Sequence, residues 1–322
     1  MTNYEKDRKA YKGIIPIFYA ADENYLPYLI VSMLSLKENA SKEYQYKIYI
    51  LSTGISKESE EKLNKYTANN FHIQWVNVSK KMEEVKNALQ LRDYYTGATY
   101  YRIFIADLFP QYGKAIYLDS DTVVLGDISA LYNTQLSTNL VGAIADGAVA
   151  AVPEFRIYTK EVLGIDAKNY FNAGVLVMNL AQFRKSGFYN KFCDLLRSYK
   201  FKVAQDQDYL NVICKDGVTL IGEEWNRMPI GGAEGNIPNL IHYNLTLKPW
   251  HYNNILFQEY FWQYASKTED YERILSALQE YTSKQKARDI ESEKMLRALC
   301  LEEAASENNY LKLQNKRQIK TA

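Results

Sequence analysis

The sequence predicts an α/β fold: an open, mostly parallel sheet with crossover helices, followed by a helical carboxyl-terminal extension. Two observations carry this. Apolar runs of strand length alternate with segments of helical periodicity up to residue 78. Beyond Tyr252 the character shifts, first to crowded aromatics and then to charged, helix-favouring residues with no Gly or Pro between 283 and 320.

The first element is residues 13–21, GIIPIFYAA, a buried strand running into Asp22-Glu23-Asn24. Residues 25–38 place Leu26, Leu29, Ile30, Met33, Leu34 and Leu36 close to helical spacing. YKIYIL (46–51) is a second strand. Ser56 can cap a helix reaching about residue 66, with Ser59 at its third position. FHIQWVNV (71–78) is a third strand. In such a sheet ligands bind at the carboxyl ends of strands, so residues 20–24 are a candidate binding loop. Residues 99–109 read as a helix stopped by Pro110, and 114–118 as a strand running into Asp119-Ser120-Asp121. Further strands are expected at 141–145 and 171–178, helices at 181–199 and 205–214, and a Gly/Pro-rich loop at 222–238. The tail at 283–320 reads as one long helix or two outside the sheet. It reads first as a solvated surface helix, second as a subunit-pairing arm or a contact for acidic lipid through Lys312, Lys316, Arg317 and Lys320.

With 322 residues, 47% of them hydrophobic, the chain can bury a sizeable core in one large domain or two ordinary ones. A formal charge of +1 argues against a global polyanion-binding surface. Cys193, Cys214 and Cys300 form no CxxC pair, and residues 1–12 are polar, so a reducing, cytoplasmic setting is expected. No run of about 18 apolar residues predicts a membrane span. The 28 tyrosines suit half-buried strands, and their hydroxyl-bearing faces also suit sugars.

LDSD (118–121) is the sharpest local signal. Two carboxylates one residue apart after a strand can reach one hard cation, Mn²⁺ or Mg²⁺, which could hold a departing diphosphate. The same loop also fits the nucleophile loop of haloacid-dehalogenase-type phosphohydrolases. That alternative wants the loop near the chain start and a later acidic pair, whereas Asp206-Gln207-Asp208 alternates. FNAGVL (171–176) opens a strand with an amide and small residues that let a ligand approach the backbone. In HYNLTLKPW (242–250), His242 can supply a third metal ligand and Lys248 can meet a phosphate, while His72 and His251 carry no such expectation.

In order along residues 13–255, YAADENY (19–25), TYYR (99–102), LDSD, FNAGVL, QDQD (205–208) and HYNLTLKPWH resemble the family 8 glycosyltransferases. These are retaining UDP-sugar enzymes that include bacterial lipopolysaccharide galactosyl- and glucosyltransferases and glycogenin. The resemblance implies a GT-A type nucleotide-sugar-binding domain over 13–255 and a helical extension over 256–322. It also implies transfer of galactose or glucose to a glycan, glycoprotein or glycolipid. Ala20, Ala21, Asp22, Asn24 and Tyr25 would contact the nucleoside, with Ser120 beside them. Asp119, Asp121 and His242 would bind Mn²⁺, or Mg²⁺, and Lys248 would meet the diphosphate. Arg102, Asn172, Asp206 and Gln207 would surround the hexose, with Asp146 and Pro229 on the acceptor side. The family commonly has glycine where this chain has Leu245, and a side chain there predicts a different local backbone. A binding module without catalysis is the alternative within the family, opposed by the intact metal set. The extension could pair subunits or rest on the inner membrane face.

Overall fold

The computed structural model describes residues 11–85, 97–230 and 238–321, with side chains up to Arg317. In chain order, β1 (Ile14–Ala20), α1 (Leu26–Asn39), β2 (Gln45–Ser52), α2 (Lys57–Asn64), β3 (Phe71–Asn77) and α3 (Ser79–Val85) form the first half of the sheet. A 3₁₀ turn (Gly97–Phe104) leads into α4 (Ile105–Leu108), β4 (Ala115–Leu118), β5 (Thr122–Val124) and α5 (Ile128–Tyr132). β6 (Val141–Ala145), α6 (Gly147–Ala151), α7 (Pro153–Tyr158), β7 (Phe171–Met178), α8 (Leu180–Lys185), α9 (Phe188–Ser198) and α10 (Asp206–Cys214) follow. Last come β8 (Val218–Leu220), β9 (Leu240–His242), α11 (Gln258–Ala265), α12 (Tyr271–Glu280), α13 (Ser283–Ala305) and α14 (Tyr310–Thr321).

Seven strands form one sheet in the order β3-β2-β1-β4-β7-β6-β8, and β5 pairs antiparallel with β9 in a small second sheet. β7 alone runs against its neighbours, while β3, β2, β1 and β4 are mutually parallel. Side-chain alternation builds a core on each face. Phe18, Tyr49 and Tyr117 enter one apolar cluster, and Ile17, Tyr19, Ile48 and Ile116 enter the other. A third cluster joins α1, β5, β9 and α11 around Trp250, Ile241 and Phe261.

The expected elements are present with informative departures. Ser56 caps α2, accepting from Ser59 N–H. The helix expected at 99–109 is mostly 3₁₀, and the one at 181–199 is split by Gly187 at φ 64°. β5, β8 and β9 are three residues each, too short for periodicity to register. The tail is two helices and is not a free arm. Cys300 on α13 is buried in the main cluster, and Leu311 on α14 sits over Gly164. Lys312 donates to Ser306 O and Glu307, and Lys316 to Glu307 O, whereas the side chain of Lys320 lies outside the described residues.

Candidate active site

The antiparallel course of β7 builds the site. It brings the start of β7 against the end of β4, where Asp119 N–H donates to Gly174 O at 2.7 Å. Gly174 is required there, because a Cβ would lie 2.2 Å from His242 Cε1 and 2.7 Å from Asp119 Oδ2. β9, paired to β5, carries His242 in from the other side. The loop after β1 is tied on by Ser120 Oγ, which donates to Ala20 O at 2.8 Å.

Asp119, Asp121 and His242 offer ligand atoms that all lie within 4.8 Å of one another. His242 Nδ1 is 3.0 Å from Asn226 Oδ1, and the Asn226 amide nitrogen donates to Asn172 Oδ1 at 3.0 Å. That chain puts the imidazole proton on Nδ1 and turns the Nε2 lone pair toward the carboxylates. Asp121 Oδ1, 3.2 Å away, is buried and accepts no hydrogen bond among the described residues. Buried lone pairs facing each other leave a place for a cation, so the donor set fits a divalent ion of intermediate hardness.

Lys248 Nζ is bonded to Asp121 Oδ2 and donates to Tyr243 O. Burial pushes the Asp121 carboxyl up, but the Lys248 ammonium outweighs it and helps hold it well below the usual carboxylate range. The lysine loop is anchored by Trp250, stacked on Tyr28 with ring centroids 3.8 Å apart and packed against Phe261.

Arg102 is buried between both halves. Its Nε donates to Thr99 O and lies 3.1 Å from Asp206 Oδ2, one terminal nitrogen lies 3.1 Å from Asp119 Oδ1, and the other donates to Ala173 O. Burial raises Asp206 to about 7, partly offset by Arg102. Gln207 uses both ends of its amide, accepting from Ala173 N–H at 2.9 Å and donating to Asp146 Oδ2 at 3.0 Å. Asp146 also accepts from Asn172 and caps α6 through Ala148 and Val149 N–H.

One cavity of about 430 Å³ runs past these groups. Of the residues singled out in the sequence, its walls include Ala20, Ala21, Asp22, Tyr25, Arg102, Asp119, Ser120, Asp121, Asp146, Asn172, Asp206, Gln207, His242 and Lys248. Two lie elsewhere. Asn24 is exposed, because Asp22 Oδ1 accepts from the N–H groups of Asn24 and Tyr25 and folds the loop tip outward. Pro229 is buried off the cavity wall. Of the candidate acceptor loop, residues 231–237 lie outside the described residues.

Sequence reasoning missed Asn226, Tyr117 and His251. Asn226 sits in an aperiodic loop with no local signal. Tyr117 donates to Asp119 Oδ1 at 2.8 Å and lies under the Arg102 guanidinium. Period-two alternation from Asp119 could have flagged it. His251 lines the cavity, stacked on Tyr281 at 3.9 Å, and burial with Lys248 nearby lowers its pKa to about 4.

Residues 16–254 match the profile of the family described as Glycosyl transferase family 8. The chain belongs to glycosyltransferase family 8. Its fold is GT-A. The galactosyltransferase LgtC, solved in complex with donor and acceptor sugar analogues, superposes with a TM-score of 0.69 at 25% identity. The match covers 81% of this chain and all of that one. A putative glycosyltransferase of Haemophilus influenzae is 29% identical over 215 residues, 66% of this chain and 63% of that protein. General stress protein A of Bacillus subtilis is 29% identical over 262 residues, 74% and 88% of the two chains. The chain thus spans less than two thirds of the Haemophilus relative. Among the described residues no helix is long and apolar enough to cross a membrane.

Family membership gives the departure at Leu245 its meaning. The sequence predicted a different backbone there, but Leu245 keeps φ at 53°, the left-handed region that glycine adopts freely. Leu245 thus sits in a conformation that its side chain disfavours, at a cost on the order of 1 kcal/mol. Leu245→Gly is therefore expected to be close to neutral, the relieved strain offsetting the added chain entropy. Leu245→Val should lose about 1 kcal/mol more than wild type, since β-branching suits this region worst. Urea unfolding of the pair checks this, and equal stabilities would sink it.

Asp208, next to the site residues, is structural. It accepts from Tyr158 and Tyr170 hydroxyls, both at 2.8 Å, and from Ala204 N–H. Burial raises its pKa to about 6 despite those bonds. A folded pKa above the unfolded one means its contribution is complete below about 3.9 and is lost as pH rises through the folded value. Relative to Asp208→Asn, wild type should lose on the order of 3 kcal/mol between those pH values. Denaturant titrations at several pH values read this difference, and a pH-independent gap would refute it.

Proposed function

We propose that this chain transfers a hexose, galactose or glucose, from a UDP-sugar to a glycan, glycoprotein or glycolipid, with retention of the anomeric configuration. The observation that carries the reading is the convergence of Asp119, Asp121, His242 and Lys248 on one cavity, beside Arg102, Asp146, Asn172, Asp206 and Gln207, polar side chains able to hold a sugar. In this reading the uridine lies along Ala20, Ala21 and Tyr25, and the diphosphate lies between Lys248 and the two aspartates. Asp119, Asp121 and His242 would hold Mn²⁺, the nitrogen ligand favouring it over Mg²⁺. When bound, the ion would neutralise charge developing on the diphosphate.

Lys248 is bonded to a ligand carboxylate in the described structure and would turn to a departing phosphate oxygen, a preorganised charge where negative charge grows. The bond from the anomeric carbon to the phosphate oxygen breaks with its electron pair passing to UDP. The acceptor hydroxyl oxygen bonds to that carbon, and its proton passes to the departing phosphate. Asp206 and the carbonyl oxygens nearby would steady the positive ring. Both ends of the Gln207 amide are committed, and an amide is a poor nucleophile, which supports entry of the acceptor on the face UDP leaves. A cytoplasmic setting, peripheral to the inner membrane face, fits such a donor.

The test is UDP release from a panel of nucleotide sugars with Mn²⁺ or with EDTA. Slow release from one UDP-hexose, abolished by EDTA, is the expected result. If no UDP-sugar is turned over and calorimetry detects no UDP binding with Mn²⁺ present, the donor site is wrong. Phosphate release from a generic phosphoester would favour the phosphohydrolase instead.

A further inference from the structure

A UDP-hexose accounts for many of the polar groups of the cavity, and beside others, Tyr158, Thr159 and Asp289 among them, the wall has an apolar stretch. Uracil and ribose have the β1 loop, the diphosphate has Lys248 and the aspartates, and the hexose has Arg102, Asp146, Asn172, Asp206 and Gln207. Beyond Asp146 the same cavity is walled by Ala148 and Val149 of α6, Phe155 of α7 and Leu296 of α13. None of these side chains offers a hydrogen-bond partner to a sugar hydroxyl. A hydroxyl moved from water into such a wall loses its partners, whereas an alkyl or aromatic group gains by leaving water.

Leu296 lies beyond the family match, which ends at residue 254. Its helix is held at the cavity by Asp289, another wall residue, which accepts from the Tyr252 and Tyr281 hydroxyls at 2.6 and 2.8 Å. Leu299 and Cys300 pack into the main core just after it. Ile157 of α7 and Ile290 and Met295 of α13 are exposed apolar side chains on the same two helices. An apolar wall beside the groups assigned to the hexose is what an acceptor with an apolar tail requires.

We infer that α6, α7 and α13 form an acceptor subsite for an apolar aglycone, so that the acceptor is an amphiphilic glycoside of glycolipid type. The inference rests on the proposed transferase reading and names its acceptor class. Leu296 and Val149 are then specificity-determining residues, contributed partly by a helix that the family match does not include.

The test pairs methyl and octyl glycosides of α- and β-glucose and α- and β-galactose, kept below micelle concentrations, with UDP release as readout. For one sugar, the octyl member should have a KM at least about tenfold below its methyl partner. Leu296→Gln should reduce that ratio to about one, with KM rather than kcat moving. Val149→Thr, nearly isosteric, serves as the gentler second variant, and melting temperature with UDP binding reports whether each variant is folded. Octyl and methyl members that behave alike, both accepted or both ignored, would overturn the inference, as would an octyl preference surviving both folded variants. Absence of UDP release from every donor and of UDP binding by wild type would instead remove the transferase reading, and this inference with it.

Discussion

On the proposed function, Asp121→Asn is expected to lower UDP-hexose turnover by at least about 10³-fold, because a charged candidate ligand and the partner of Lys248 go together. Two effects converge on this carboxylate. Its Oδ1 faces His242 Nε2 with no hydrogen bond to satisfy it, so its charge is directed at the cation position. Its Oδ2 neutralises Lys248, which is 5% exposed and would otherwise be a nearly buried ammonium. Breaking such a pair from one side costs on the order of 3 kcal/mol of stability. Calorimetric Mn²⁺ titration, urea unfolding and UDP-release kinetics on the same variant separate the contributions. Turnover that persists in Asp121→Asn and is insensitive to EDTA would mean that the site works without the cation.

Gly174→Ala is the second large effect, and it adds or removes no charge. The added Cβ would fall 2.2 Å from His242 Cε1. The backbone has little freedom to yield, since Gly174 O accepts from Asp119 N–H and Gly174 N–H donates to Asn172 Oδ1 at 2.9 Å. The imidazole cannot swing aside without losing Asn226. Overpacking of this kind costs roughly 1–3 kcal/mol, and a displaced ring no longer aims Nε2 at the aspartates. Mn²⁺ affinity should fall by about 10- to 100-fold, the range seen when the support of a metal ligand is disturbed. Wild-type Mn²⁺ affinity in a folded Gly174→Ala variant would show that His242 is no ligand.

Much of the site was legible before folding was considered. LDSD announced itself as paired carboxylates after an apolar strand, and FNAG as small residues opening another. Lys248 and His242 stood in one short motif. Asn24, expected to contact the nucleoside, is exposed and off the cavity wall, where the Asp22 carboxylate accepts from the N–H groups of Asn24 and Tyr25 at the loop tip. Leu245 was read as altering its backbone, yet the fold holds a left-handed residue where its side chain disfavours one. Surrounding contacts, not local preference, decided that angle. The tail was read as a surface helix because its charge pattern dominates, and its few apolar residues proved sufficient to dock it.

By itself the sequence determined the strand–helix alternation, the loops at strand ends and the residue types each loop presents. These follow from local rules: period two or 3.6, caps, and Gly or Pro interruptions. Only the tertiary structure decided which loops meet. β7 enters the sheet antiparallel between β4 and β6, and that single reversal sets Gly174 against Asp119 and Ala173 against Arg102. The polar line from His242 through Asn226, Asn172 and Asp146 to Gln207 joins five separate segments of the chain. No local pattern encodes it, because strand order is settled by the packing of whole faces and not by the propensity of any one segment. The same packing brought Leu296 and Asp289 to the cavity wall, from a helix whose own sequence reads as solvent-facing.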